Sequence, residues 1–432
     1  MLLKKLFGFN PAVHSVKTEI LAGITTFLTM AYILAVNPDI FKAVPGMPND
    51  AVFTTTAISA IVGTLMMALY ARLPFATAPG MGLNAFFVYT VCLSMGFSWQ
   101  FALTAILIEG FLFIIMTITN VRSLIVDAIP ANLKRAIGVG IGFFIAALGF
   151  KNSGIIVSDP DTFITLGKLS ESAPQLAIIG ILITGVLTVL NVRGAILIGI
   201  LATTLIGIPY GLTHINGIVS TPPSVEPLLF QFEWDKIFSF EMLAVVFTFL
   251  FIDMFDTIGT IVGVMTNAGM IKAKGDMKEL NRAFMADAVA TCVGACVGAS
   301  TTTTFVESSA GVAQGGRTGL TSFTTALCFA AALFFAPLFL SIPSAATAPA
   351  LIIVGLFMTA PIAEMNFTDY REGLPAFLTM ILMPLSGSIS DGILVGIIAY
   401  TLLNALTGKA KTITPTMWVL TVLFIARYAL VQ

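Results

Sequence analysis

The stretch "STTTTFVESSAG", Ser300 to Gly311, sets four consecutive threonines and then a carboxylate, Glu307, between two apolar runs. The chain around it is 57% hydrophobic and only 10% charged, so the hydroxyl run and the acid both need a reason. Thr301 to Thr304 are β-branched and favour extended backbone. They predict a short strand that leads into a helix starting near Phe305. Ser and Thr can also sit in a membrane helix by bonding back to the i−4 carbonyl. That alternative leaves unexplained a second broken segment, "LPFATAPGMGLNAFF" (Leu73 to Phe87), whose "PFATAP" predicts the matching strand. Both pieces are too short, and too interrupted by Gly or Pro, to span as one helix. Non-helical backbone at membrane depth survives only where protein or water satisfies its N–H and C=O groups. Two such pieces in corresponding halves of a chain point to the binding site of a transporter. Paired at the bilayer midplane, the two strands would satisfy each other, and each half-helix would offer free N–H groups and its positive dipole end to a cavity.

Composition supports the membrane setting. A mean hydropathy of +0.99, with 35 Phe and 19 Met, belongs to a polytopic membrane protein and leaves no large soluble domain. A net charge of −1 gives no basis for a nucleic-acid partner. Cys92, Cys292, Cys296 and Cys328 lie in apolar runs and read as small soft hydrophobes, not disulfides. With His14 and His214 as the only histidines, no metal site is expected. The N-terminus has two lysines but no long apolar core before Lys17 and Glu19, so it does not read as a cleaved signal peptide.

A crossing needs about 17 to 25 largely apolar residues, or fewer where a helix is discontinuous. That ruler places spans near 19–38, 51–71, 79–95, 99–119, 133–152, 174–192 and 194–211. A second set lies near 241–265, 283–299, 304–317, 319–341, 345–361, 372–387 and 389–407, while 415–431 stays open between a crossing and an interfacial segment. Fourteen crossings that start inside put most Lys and Arg in cytoplasmic loops, with Lys272, Lys274, Lys278 and Arg282 the strongest loop and only Lys42, Lys151, Lys168 and Lys236 outside. Seven is odd, so two halves of seven have opposite orientations, which is an inverted repeat. A shift of about 231 residues lays "ITTFLTM" (Ile24 to Met30) on "FDTIGTI" (Phe255 to Ile261), and it also brings the two broken segments together. The fold expected is therefore an all-α polytopic membrane protein: fourteen transmembrane segments as a 7+7 inverted repeat, with short β-strands in segments 3 and 10.

Ionisable groups inside spans are costly and by default functional. The candidates are Glu109, Asp253, Asp256, Asp287, Glu307 and Asp391. Asp287 and Asp391 lie near expected helix ends, where capping or hydration is the simpler account; Glu109 stands beside Gly110 without polar company, and helix packing accounts for it at least as well as a functional role. Asp256 sits mid-span in "FLFIDMFDTIGT", with Thr260 one turn on along the same face, and Glu307 opens the second half-helix. No Lys or Arg lies mid-span to make either a structural ion pair. Two acceptor acids beside free backbone N–H groups suit a flat polar heterocycle that carries both donors and acceptors.

At these residues the chain resembles the azaguanine-type purine permeases of the nucleobase-cation symporter group, which also contains xanthine and uracil permeases. The resemblance rests on "TEILAGITTFLTMAYILAVNP" (Thr18 to Pro38), "APGMGLNAFF" (Ala78 to Phe87), "FDTIGT" (Phe255 to Thr260) and "ESSAGVAQGGRTGLT" (Glu307 to Thr321). It implies a core domain of helices 1–4 and 8–11 and a gate domain of helices 5–7 and 12–14, often dimeric. By residue number this divides the chain into 1–152 (core helices with the first gate helix), 153–240 (gate), 241–341 (core) and 342–432 (gate and C-terminal segment). It also implies that Asp256 and Glu307 are substrate-binding and proton-coupling acids, and that Asn84, Thr260, Phe305, Ser308, Met81 and Gly80 join the pocket. The function implied is import of guanine or hypoxanthine, or of adenine, by proton symport across the inner plasma membrane, with a cytoplasmic N-terminus and no cofactor beyond the ion. An anion exchanger of the same architecture, as in sulfate and bicarbonate carriers, needs a net-positive site, which two acids argue against. A membrane enzyme would need a metal cluster or a nucleophile with its base, and neither is present at recognisable spacing.

Overall fold

The computed structural model describes residues 2–119, 129–215, 217–267 and 277–430. Among the described residues, nine helices are long and apolar enough to cross a bilayer, from Val16–Phe41 to Ile389–Thr412. Helices also occupy the other five expected segments: Met81–Ser94 and Ala195–Ile206, and Phe240–Asn267, Ser308–Ala313 and Tyr370–Ser386. The last apolar piece is helical over Pro415–Leu430. Of the basic loop residues, Arg122, Lys272 and Lys274 lie outside the described residues.

The helices sort into two packed groups. In one, Val16–Met30 packs on Gly319–Ala332, Asn49–Met66 on Met277–Val297, and Trp99–Thr119 on both Met277–Val297 and Phe240–Asn267. In the other, Ala131–Asn152 packs on Ser344–Met358 and Tyr370–Ser386, and Ser172–Val189 on Ala195–Ile206. Small residues let membrane helices approach closely. A Cβ built on Gly142 would lie 2.8 Å from the Gly355 carbonyl, and one on Gly355 would lie 2.5 Å from the Gly142 carbonyl.

Among the described residues, four short strands interrupt the helices: β1 (Thr77–Pro79), β2 (Ile156–Asp159), β3 (Phe163–Leu166) and β4 (Thr302–Thr304). The β2–β3 hairpin was not expected from the sequence. Its turn is set by Asp159, whose carboxylate accepts the N–H groups of Asp161 at 2.9 Å and Thr162 at 2.8 Å. The strands expected in segments 3 and 10 are β1 and β4, and they pair antiparallel with Thr77 opposite Thr304 and Pro79 opposite Thr302. Further backbone bonds, Gly80 N–H to Thr301 O and Phe305 N–H to Ala76 O, both 3.0 Å, extend the pairing at each end. The threonine run fastens this sheet to the bundle. Thr301 donates to Glu109, Thr302 meets Ser59, Thr303 meets Thr257 and Thr304 donates to Asp287, so four hydroxyls reach four different helices.

The two halves use the same anchor. Thr64 Oγ1 accepts the Thr77 N–H at 3.1 Å and donates to the Thr77 carbonyl at 3.2 Å; Thr291 Oγ1 does the same for Thr302, at 3.3 and 2.9 Å. The second half-helix starts at Ser308, not near Phe305. One residue, Gly80, joins β1 to its helix, whereas Phe305, Val306 and Glu307 join β4 to the second. The strands do not keep the single sequence shift of about 231: β4 starts 225 residues after β1 (302 against 77), and the longer joint adds two, so that the half-helices start 227 apart (308 against 81).

Candidate functional site

Residues from both helix groups enclose a cavity of ≈ 600 Å³. Its polar wall begins with Val16–Phe41, which breaks at Ala31 and Tyr32 into two helices. Thr25, Thr29 and Tyr32, spaced four and three residues apart, fall on one helical face and line the cavity. The Tyr32 hydroxyl donates to Glu307 Oε1 at 2.5 Å. Such a bond to an ionised carboxylate is short and strong. Glu307 stands at the end of the long strand-to-helix joint, immediately before Ser308–Ala313. Asp256 and Thr260 enter from the middle of Phe240–Asn267.

Gly80, Met81 and Gly82 complete this side. First-turn N–H groups have no partner within their own helix, so with the Gly80 N–H taken by the Thr301 carbonyl the donors available on this side are those of the first turn after it. A Cβ on Gly80 would lie 2.6 Å from Thr303 Cγ2 and 3.7 Å from Asp256 Oδ2; the bare backbone lets β1 lie against β4 beside the acid. Phe305, buried at 6% exposure, adds an aromatic face. The opposite wall is apolar: Ile145, Val354, Phe357 and Met358. Exposed Asn191, Val192 and Arg193 form the mouth, on the turn between Ser172–Val189 and Ala195–Ile206. Gly194 takes φ +73° there, and its Cβ position is 3.1 Å from the Leu28 carbonyl, so the turn rides on the first span. Among the described residues, no group of three or more His, Cys, Asp or Glu side chains is placed to hold a metal ion.

The structure thus brings Asp256, Glu307, Thr260, Phe305, Met81 and Gly80 to one cavity. It places Asn84 and Ser308 behind the wall. Asn84 is fully buried and bonds to Ser300 and the Pro79 carbonyl. Ser308 accepts the Ala76 N–H at 3.0 Å, which ties its half-helix to the strand β1 side. Tyr32 and Arg193 escaped the sequence reading. The Thr25, Thr29, Tyr32 stripe could have revealed the first, but a loop arginine carries no such signal. Asp287 also differs from its expected place near a helix end: the helix begins at Met277, so Asp287 is mid-helix, where it accepts from Thr257 at 2.8 Å.

Residues 17–395 match the Permease family of xanthine and uracil permeases. The chain is 46% identical over 427 residues to the guanine/hypoxanthine permease PbuO of Bacillus subtilis, covering 97% of this chain and 98% of the relative. It is 39% identical over 431 residues to the adenine permease AdeP of Escherichia coli, covering 100% and 97%. In fold it is similar to the transmembrane domain of the cyanobacterium bicarbonate transporter BicA, with a TM-score of 0.67 at 15% identity over 88% of this chain and 97% of that one. The chain belongs to the xanthine/uracil permease family and is a membrane transporter, not an enzyme.

Proposed function

We propose that this permease imports purine nucleobases together with a proton, guanine or hypoxanthine first and adenine as the other choice. The observation that carries the reading is the placement of Asp256 and Glu307 in one cavity with Tyr32, Phe305 and the Gly80 joint. A purine presents ring N–H groups to carboxylate acceptors, carbonyl or ring nitrogen atoms to backbone donors, and a flat face to Phe305. In this reading one acid holds the base, the other responds to protonation, and no cofactor takes part. Relatives named for guanine/hypoxanthine and for adenine support the substrate class.

The two packed helix groups would be the core and gate domains, and the fourteen segments, two of them a short strand followed by a helix, would each cross the inner plasma membrane from a cytoplasmic N-terminus. In that topology the mouth at Arg193 faces the cytoplasm. The far end is held shut across the groups, because Asp39, in the first span, accepts from Ser344 at 2.5 Å and Thr347 at 2.6 Å. Breaking that contact while closing the Arg193 side is the alternation required. A homodimer is the expected assembly. An anion exchanger is disfavoured, since one arginine at the mouth does not offset two acids inside.

Uptake of labelled bases by cells that express the chain tests this. Glu307→Ala, with expression unchanged, is expected to abolish purine uptake; undiminished uptake removes the claim.

A further inference from the structure

Three further carboxyl groups gather around the threonine strand without lining the cavity. Glu109, Asp253 and Asp287 come from three different helices and are at most 1% exposed. The hydrogen count around Thr257 says what they hold. Its hydroxyl oxygen lies 3.0 Å from Asp253 Oδ1, 2.8 Å from Asp287 Oδ2 and 2.8 Å from Thr303 Oγ1. A hydroxyl has one proton to give and two lone pairs. If that proton goes to one carboxylate, the other carboxyl can meet Thr257 only by donating a proton of its own. If it goes to Thr303, both carboxyls must donate. Either way the cluster carries a proton that the cavity acids do not supply.

Glu109 makes a second place for one. Its Oε2 accepts from Thr301 at 2.7 Å, while Oε1 is buried with no hydrogen-bond donor and the side chain interacts directly with Asp253. Cys292 packs beside it against Gly110. The sequence has no Lys, Arg or His in 99–119, 240–271 or 283–316, so none of these stretches supplies a fixed cation. The cluster is tied to the cavity wall twice. The Thr301 carbonyl accepts the Gly80 N–H beside Asp256, and Thr304, a cavity residue, donates to Asp287 at 3.3 Å.

Resting on the proton-symport reading above but moving the proton off the cavity acids, we propose that the coupled proton is stored on the Glu109, Asp253 and Asp287 cluster instead of on Asp256 or Glu307, both of which then serve the base. Thr257 passes it between the aspartates by accepting a proton from one as it gives its own to the other, so that no charge is left on the hydroxyl. Filling or emptying the cluster pulls on the strand that forms the cavity wall, which is how the ion and the base would sense each other.

The test uses the purified full chain in proteoliposomes with two readouts: counterflow of labelled hypoxanthine, guanine or adenine, and base-dependent acidification of an internal pH dye. Glu109→Gln and Asp287→Asn should retain counterflow and lose acidification. Thr257→Ser should keep both and Thr257→Val lose acidification, which holds the test open if a carboxyl variant fails to fold. Acidification at wild-type level in Glu109→Gln or Thr257→Val overturns the proposal. Counterflow without acidification in the wild type also overturns it and places the failure in the symport reading, and no counterflow with any purine places it in the substrate reading.

Discussion

Gly80→Ala tests whether the contact between the two strands positions the acids. The new Cβ would lie 2.6 Å from Thr303 Cγ2 and 3.1 Å from Leu83 Cδ1. Leu83 Cδ1 is the end of a flexible side chain and can turn away. The Thr303 methyl cannot, because its hydroxyl is held at 2.8 Å by Thr257 and its backbone pairs with Ala78. Overpacking of this kind costs about 1–3 kcal/mol, and here it would push β4 from β1 and carry the Glu307 joint with it. Thr303→Ser deletes the offending methyl and keeps the hydroxyl, at about 0.8 kcal/mol for one buried carbon. The double variant should therefore recover about 1–2 kcal/mol relative to the sum of the single effects. Thermal unfolding in detergent, with and without hypoxanthine, measures the cycle, and counterflow follows its effect on transport. If Gly80→Ala costs as much in the Thr303→Ser background as it does beside the native threonine, the strand contact is not what that glycine protects.

Tyr32→Phe removes the donor on Glu307 and should weaken purine binding by about 10-fold, in line with about 1.5 kcal/mol for a hydrogen bond to a charged group; equilibrium binding of labelled base checks it. Asp39→Ala should loosen the far end of the cavity, so that a cysteine placed at Thr260 in a cysteine-free background reacts faster with an impermeant reagent added outside; an unchanged rate would remove Asp39 as a closing contact. Glu233 lies in the loop before Phe240–Asn267, and the hydroxyl of Ser98, just ahead of Trp99–Thr119, holds its carboxyl below the usual range with help from Lys236. A depressed folded value stabilises the protein above the unfolded carboxylate range, and the contribution is lost as pH falls through the folded value. Melting temperature from pH 7 down to 3 should therefore fall less steeply in Ser98→Ala than in the wild type.

Much of this site is legible in the sequence for definite reasons. The β-branched threonines favour extended backbone and the partner segment is broken by Pro74 and Pro79, so the two strands can be read together. Asp256 and Glu307 stand out because a carboxylate in an apolar run is expensive. What stayed hidden are partners far apart in sequence. Glu109 looks solitary among its neighbours, yet Thr301 meets it across 192 positions. Tyr32 reads as another aromatic until the break at Ala31 turns its hydroxyl onto Glu307. Asn84 and Ser308 are polar groups in the right segments, but backbone pairing, not the cavity, uses them. The single repeat shift of about 231 already fails at the strands, which lie 225 residues apart, and the two extra residues of the second joint change the offset again to 227.

The central claim is tested most directly by thermal stabilisation of the purified chain with hypoxanthine, guanine, adenine, xanthine, uracil and sulfate, each against wild type and Glu307→Gln. Stabilisation by one or two purines, lost in Glu307→Gln, is the result this account predicts. Stabilisation by sulfate alone, or by a purine equally in both proteins, would contradict it.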